Sequence, residues 1–260
     1  MSFSIITVCY NDFIGLKNTY GSIKNQTIAD FEWIVVDGAS TDGTPAWLSG
    51  LNEPKLKWSS EPDKGIFDAM NKGIAKATRE YLIFMNAGDE FNGDQMLEKI
   101  RDIIERQEKR PYFIYGDAID ITSANKSLLK VAKPYPMFYK TMFTSHQAML
   151  FNRAFGLKYD MHYPLQYKYT GDYAFIALYL RNINDKGRIL RLGFPVCRFS
   201  LGGTNEIHRF KALKEDYRIR IEIMGLSGIK AFALYLLHYF HTILKKNIPR
   251  LTQLLRYKKV

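Results

Sequence analysis

The chain has 260 residues, 47% hydrophobic, 14% aromatic and 24% charged, enough apolar sequence for a sizeable core and too much for a disordered or fibrous protein. Two cysteines, Cys9 and Cys197, sit in apolar runs, which excludes a disulfide framework and suits a reducing compartment. The net charge of +11 is uneven: residues 1–130 carry 15 Lys/Arg against 19 Asp/Glu, residues 131–260 carry 22 against 7, and no acid follows Glu222. An acidic front and a basic end imply a site near carboxylates and a surface drawn to polyanions, whether nucleic acid, membrane or phosphorylated substrate.

Residues 4–9 form a short β-branched run, as a buried parallel strand would. Leu16, Tyr20 and Ile23 have helical spacing within residues 16–26, and residues 31–36 read as a second strand closed by the turn-rich residues 37–44. A short helix over 45–51 tolerates Pro45 in its first turn, and 56–60 is a weaker strand. Ile66, Met70, Ile74 and Ala77 share one face of a helix over 65–78. Strands over 81–85 and 112–115 flank a helix marked by Met96, Leu97, Ile100, Ile103 and Ile104.

This β-α-β-α order predicts an open α/β sheet whose ligands lie beyond the carboxyl ends of its strands. Asn11, Asp37 and Asp89 all fall at such ends. The second half is less regular, with strands expected over 128–132, 148–151, 189–192 and 196–199, and helices over 172–181 and 206–224. Amphipathic helix is expected over the last thirty residues, with Ile248, Leu251, Leu254 and Leu255 on one side.

The N-terminus has no basic residue before its apolar stretch and so lacks a signal-peptide pattern. Residues 229–244 are the best candidate for a membrane span. Lys230, His238, His241 and Thr242 interrupt them, and they fall short of the ~20 apolar residues a crossing needs. A soluble or peripheral chain is expected. Zinc spacing, a P-loop and a Gly-X-Gly-X-X-Gly fingerprint do not occur in the sequence.

Several blocks carry a family resemblance. They are Ser-Ile-Ile-Thr-Val-Cys-Tyr-Asn (4–11), Gln26-Thr27, Val-Val-Asp-Gly-Ala-Ser-Thr-Asp-Gly-Thr (35–44), residues 60–73 (Ser-Glu-Pro-Asp-Lys-Gly-Ile-Phe-Asp-Ala-Met-Asn-Lys-Gly) and Asn-Ala-Gly-Asp (86–89). In this order they resemble the inverting family 2 glycosyltransferases across most of residues 3–91. Weaker matches continue through Tyr115-Gly116-Asp117, Ser145-His146-Gln147, Thr170-Gly171-Asp172-Tyr173 and Gly202-Gly203-Thr204.

The resemblance implies an α/β fold of GT-A type, a Rossmann-like and mostly parallel sheet flanked by helices, with a basic amphipathic helical C-terminus. Residues 1–224 would form one catalytic domain, with a nucleotide-sugar-binding half over 1–117 and an acceptor half over 118–224. Residues 225–260 would form the tail.

The resemblance also distributes roles. Asp89 would hold a divalent cation, Mn²⁺ or Mg²⁺, that offsets the charge of a departing nucleoside diphosphate. The family usually shows a second acid in this turn, whereas here Asn86 and Gly88 stand beside Asp89. Asp37 and Asp63 would contact the nucleoside, with Tyr10 and Asn11 bordering the same pocket and Tyr10 stacking on the base. Asn71 and Lys72 would face the diphosphate, and the Gly202-Gly203-Thr204 turn would approach it. Asp172, at the start of a helix, would be the general base, with Asp160 and Asp185 as rivals. His146 would bind the acceptor, and His208 would complete the metal shell.

Each residue also has a purely structural reading. Asp37 suits an Asx turn, Asp63 and Asp172 suit helix caps, Asn71 and Lys72 suit a solvated helix face, and His146 suits a core histidine. The expected activity is hexosyl transfer from a nucleotide-sugar, UDP first with GDP and dTDP open, to a glycan or polyprenyl-diphosphate-linked sugar in surface polysaccharide such as O-antigen or capsule. The place expected for it is the cytoplasmic membrane's inner face, where a cationic tail meets anionic lipid. A non-catalytic sugar-nucleotide or glycan-binding protein is the alternative. A nucleic-acid-binding protein fits the basic half but not the carboxylate-rich front.

Overall fold

The structure is a computed structural model that describes residues 1–122, 125–200 and 208–247. The Gly202-Gly203-Thr204 turn and the pattern over 248–260 lie outside the described residues. The first half alternates as the periodicity requires: β1 (Phe3–Cys9), α1 (Phe13–Lys24), β2 (Phe31–Asp37), α2 (Thr44–Gly50), β3 (Leu56–Ser60), α3 (Ile66–Lys76) and β4 (Tyr81–Phe84). The second half adds β5 (Glu90–Phe91), α4 (Met96–Glu105), β6 (Phe113–Ile121), β7 (Ser127–Lys130), β8 (Met149–Asn152), α5 (Arg153–Lys158), α6 (Gly171–Arg181), β9 (Ile189–Ser200), α7 (Arg209–Glu222) and α8 (Gly228–Asn247).

The strands form a single sheet in the order β3-β2-β1-β4-β8-β6-β9-β5, with β7 paired to β6. From β3 to β4 the pairing is parallel, so four carboxyl ends share one edge. β8 enters antiparallel between β4 and β6, and β9 runs parallel to β6. Both faces are covered, which is why β1 and β2 read as unbroken apolar runs. Ile6, Val8, Ile34 and Phe84 pack beneath α3 and α6. The alternating residues Ile5, Trp33, Val35 and Ile83 pack beneath α1 and α4.

One expectation changes. The strands expected at 189–192 and 196–199 are one strand, β9, whose register against β6 shifts around Asp117 and Pro195. Proline has no N–H to give the ladder, and the irregularity absorbs it. Residues 117 and 118, near which the two halves are expected to meet, lie within β6. Within the described residues α8 packs on α7 through Tyr239 against Phe210 and Tyr235 against Tyr217.

Candidate functional site

The carboxyl ends of the parallel strands open into tight loops, several with left-handed residues: Asn11 (φ 49°), Ala39 (φ 63°) and Gly88 (φ 87°). At the β2 end, Asp37 is fully buried and accepts hydrogen bonds from Ser40 N (3.0 Å), Ser40 Oγ (2.5 Å) and Ser60 Oγ (2.6 Å). Three donors compensate the buried carboxylate and tie the β2 loop to the end of β3. Asn11 is a second tie, its N–H on Ser40 Oγ at 2.7 Å and its Oδ1 accepting from Thr41 N at 2.8 Å.

Tyr10 and Asp63 meet over Gly38. A Cβ on Gly38 would stand 2.6 Å from Asp63 Oδ2 and 3.2 Å from the Tyr10 ring, so only glycine admits both. Asp63 Oδ1 accepts from Gly65 N at 2.8 Å, and Tyr10 is 68% exposed. An uncovered aromatic ring beside a carboxylate suits a base and a ribose.

After β4 the chain turns through Asn86-Ala87-Gly88-Asp89, closed by Asp89 N donating to Asn86 O at 3.0 Å. Thr19 Oγ1 from α1 donates to Asp89 O at 2.7 Å, and Ser200 Oγ at the end of β9 donates to Gly88 O at 3.1 Å. The Asp89 side chain is 4% exposed and accepts from Gln147 Nε2 at 2.9 Å and Ser200 N at 3.4 Å. Burial pushes its carboxyl up to about 8, against those two donors and helped by the charges of Asp12 and Glu90.

The residues of this turn fit a hard divalent cation. Asp89 has too little positive charge near it to ionise readily, and Asn86 Oδ1 is buried without a hydrogen-bond partner. Two oxygen donors on one turn, one anionic, suit Mg²⁺ or Mn²⁺, which keeps waters and substrate phosphates as its other ligands. No group of three or more His, Cys, Asp or Glu side chains able to hold a metal occurs among the described residues.

Asp172 stands in the first turn of α6, half-buried, with its Oδ1 accepting from Tyr173 N at 2.8 Å. Burial raises its carboxyl to about 6; Asp216 adds to the rise, and Lys130 opposes it. It lines a cavity of about 130 Å³ with Thr170, Arg209, Asp216, Arg220 and His238. The preceding loop is gripped by Glu215, whose carboxylate accepts from Lys168 N (2.9 Å), Tyr169 N (2.8 Å) and Thr170 N (2.9 Å). A cavity of about 580 Å³ around Asn92, Asp94, Lys99 and Phe194 contains none of the candidate residues.

Other expected residues have structural partners. His146 is 6% exposed among Phe84, Phe151 and Tyr163, with Nε2 2.8 Å from Tyr163 Oη. Burial lowers its pKa to about 3, so the ring is neutral where it packs in the core. Its neighbour Gln147 reaches Asp89 instead. Asn71 spends both ends of its amide on the Tyr163 backbone, at 3.0 and 2.7 Å. Lys72 holds Pro62 O at 2.9 Å and Glu61 at 3.3 Å. His208 precedes α7 and packs on Tyr169, ring centroids 5.1 Å apart, beside the Asp172 loop.

Sequence reasoning missed Gln147 as the partner of Asp89, and Asp12, which caps α1 through Gly15 N at 3.0 Å. Asp12 Oδ2 lies 3.7 Å from where a Cβ on Gly88 would be, which brings a second acid to the Asp89 turn. Its place just after β1 was the available signal.

Comparison with known proteins follows this geometry. The family described as "Glycosyl transferase family 2" matches residues 4–187, from β1 through Asp172 to the end of α6 and beyond. A PGL/p-HBAD biosynthesis glycosyltransferase of Mycobacterium bovis (strain BCG / Pasteur 1173P2) is 36% identical over 121 residues, 45% of this chain and 46% of that protein. The matches span less than half the length of such curated relatives.

The crystal structure of S. aureus TarS 1-349 in complex with UDP-GlcNAc superposes with a TM-score of 0.67 at 18% identity, covering 90% of this chain and 70% of that one. The mannosyltransferase PcManGT from Pyrobaculum calidifontis, in complex with GDP-Man and Mn²⁺, gives 0.64 at 16% identity, over 90% and 69%. At such identities the likeness is one of fold, and that fold is the GT-A type. The match over residues 4–187 goes further, and the chain belongs to glycosyl transferase family 2.

Proposed function

We propose that the chain is an inverting, metal-dependent glycosyltransferase. It moves one sugar from a nucleotide-sugar to a hydroxyl of a glycan or lipid-linked sugar during surface-polysaccharide assembly. The observation that carries this reading is Asp89, a carboxylate buried to 4% exposure and pushed up to about 8, on the strand edge where Tyr10, Gly38 and Asp63 converge. Tyr10 and Asp63 receive the nucleoside, while Asp37 and Asn11 hold the loops that place them.

Asp89 and Asn86 are the residues that would hold Mn²⁺ or Mg²⁺, and the bound cation supplies positive charge to the departing diphosphate. Asp172 accepts the proton of the acceptor hydroxyl as its oxygen attacks the anomeric carbon. The bond from that carbon to the diphosphate breaks on the opposite face, so an α-linked donor yields a β-linked product. A carboxyl near 6 is more basic than an ordinary one and still mostly ionised at neutral pH, which suits a general base.

UDP-hexose is the favoured donor, with GDP- and dTDP-sugars open, since the superposed structures carry UDP-GlcNAc and GDP-Man. The acceptor is a polyprenyl-diphosphate-linked sugar at the cytoplasmic face of the membrane, a setting that the +15 balance of residues 131–260 suits. A binding-only protein of the same fold is the second reading, favoured by the single acid in residues 86–89.

Thermal unfolding with UDP-, GDP- and dTDP-sugars, each with and without Mn²⁺, tests the proposal through stabilisation by bound ligand. One nucleotide class should raise Tm only when Mn²⁺ is present, and stabilisation by none of them would contradict the reading. Release of the nucleoside diphosphate on adding acceptor separates catalysis from binding alone.

A further inference from the structure

Helix α8 has two apolar faces. Its inward side packs Tyr235 on Tyr217, Tyr239 on Phe210, and His238 Nε2 on Lys140 O at 2.6 Å, with Ala231 fully buried. Helical spacing puts Ile229, Leu236, Leu237, Phe240 and Leu244 on the opposite side, with Phe232 at its margin, edge-on to Tyr217 at 6.5 Å between ring centroids. All six are exposed, from 37% at Leu236 to 86% at Ile229. A surface helix ordinarily turns its polar residues outward, yet no charged residue occurs between Lys230 and Leu244. An uncovered apolar stripe of this kind marks an interaction surface. Among the described residues no helix is long and apolar enough to cross a membrane, so α8 is not a span.

Charge selects the occupant. Lys230, Lys245, Lys246, Arg250, Arg256, Lys258 and Lys259 flank the stripe in sequence, and no acid follows Glu222. A second copy meeting this face across a two-fold axis would bring the same cations together. An anionic bilayer complements them.

We propose that the outward face of α8 is an in-plane membrane anchor, its apolar stripe seated at the headgroup–acyl boundary of an anionic bilayer and its flanking cations on the headgroups. The proposal deepens the membrane part of the proposed function and rests on that reading only for what is delivered. His238, on the inward face, lines the cavity that contains Asp172. Helix α8 therefore forms one wall of that cavity, and anchoring its outer face would hold the cavity close to a lipid-borne acceptor.

Cosedimentation of the full chain with vesicles of phosphatidylcholine, alone or with phosphatidylglycerol, tests the anchor. The chain should partition to the phosphatidylglycerol vesicles and release as salt rises. Leu237→Ser combined with Phe240→Ser, at two side chains each 62% exposed, should lower that partition about tenfold or more and leave thermal unfolding and donor-induced stabilisation unchanged. The single variant Leu237→Ser guards against a folding defect in the pair, and Leu237→Trp should retain binding. Unchanged partitioning of the serine variants overturns the proposal. So does a stable dimer that ignores vesicles and dissociates on the same substitutions. Vesicle binding without donor binding would count against the transferase reading alone, and donor binding without vesicle binding against the anchor alone.

Discussion

A carboxylate enclosed by protein keeps its charge only where donors or cations meet it, and three acids of this site are met in different ways. Asp37 receives three donors from Ser40 and Ser60 and serves the loops. Asp89 receives two and is pushed up to about 8; Asp172 is raised to about 6. With donor and cation saturating, kcat/KM for the acceptor should fall as pH drops through about 6, because Asp172 then takes up the proton that disables it as a base. Asp172→Asn should reduce kcat by about 10²–10⁴-fold with donor KM little changed, and a pH profile of the residual rate should lack that limb. Near-normal turnover would remove the base assignment. Gly38→Ala makes a different prediction. Its Cβ would meet Asp63 Oδ2 at 2.6 Å, so donor KM should rise several-fold, by displacement of Asp63, with kcat and thermal unfolding nearly unchanged. Asp89 was legible in sequence because it follows an apolar run into a turn, and Asp63 through the family resemblance of residues 60–73. Gln147, 58 residues from Asp89, was not, since only β8 entering beside β4 brings it there.

The loops that bear the candidate residues are fixed by distant elements. Thr19 on α1 and Ser200 on β9 hold the Asp89 turn, while Glu215 on α7 grips three consecutive N–H groups before Asp172. Glu215→Ala leaves those N–H groups without their acceptor and should destabilise the protein by about 1–3 kcal/mol. Urea denaturation should show this, with kcat falling alongside as Asp172 loses its position. An unchanged midpoint would deny Glu215 that role. The parallel strands were readable because burial on both faces leaves unbroken runs such as residues 4–9 and 31–36. The continuity of β9 was hidden by Pro195, a residue that locally argues against a strand. The sequence left His146 between a core and an acceptor reading for a related reason: a His-Gln pair before a strand does not reveal which of the two side chains the pleat turns into the aromatic core.

For the whole molecule, the charge asymmetry becomes a spatial division of labour. The acidic half supplies the parallel edge with Asp37, Asp63 and Asp89, and the basic half ends in α8 and the cations that follow it. Deleting residues 245–260 should lower partition to anionic vesicles, by loss of six basic residues, more than it lowers transfer to a soluble acceptor. Equal partitioning of the full and shortened chains would count against a charge contribution from this end. The composition disclosed the basic end, but the apolar outward stripe of α8 became visible only once α7 was seen to take the other face.

Calorimetric titration of the stabilising nucleotide into wild type and Asp89→Asn, each with and without Mn²⁺, asks whether Asp89 holds the cation that would support the departing diphosphate. Mn²⁺ should tighten binding to the wild type by about tenfold or more, worth roughly 1.4 kcal/mol, and leave Asp89→Asn unaffected. Equal tightening in both proteins, or none in the wild type, would contradict that role for Asp89.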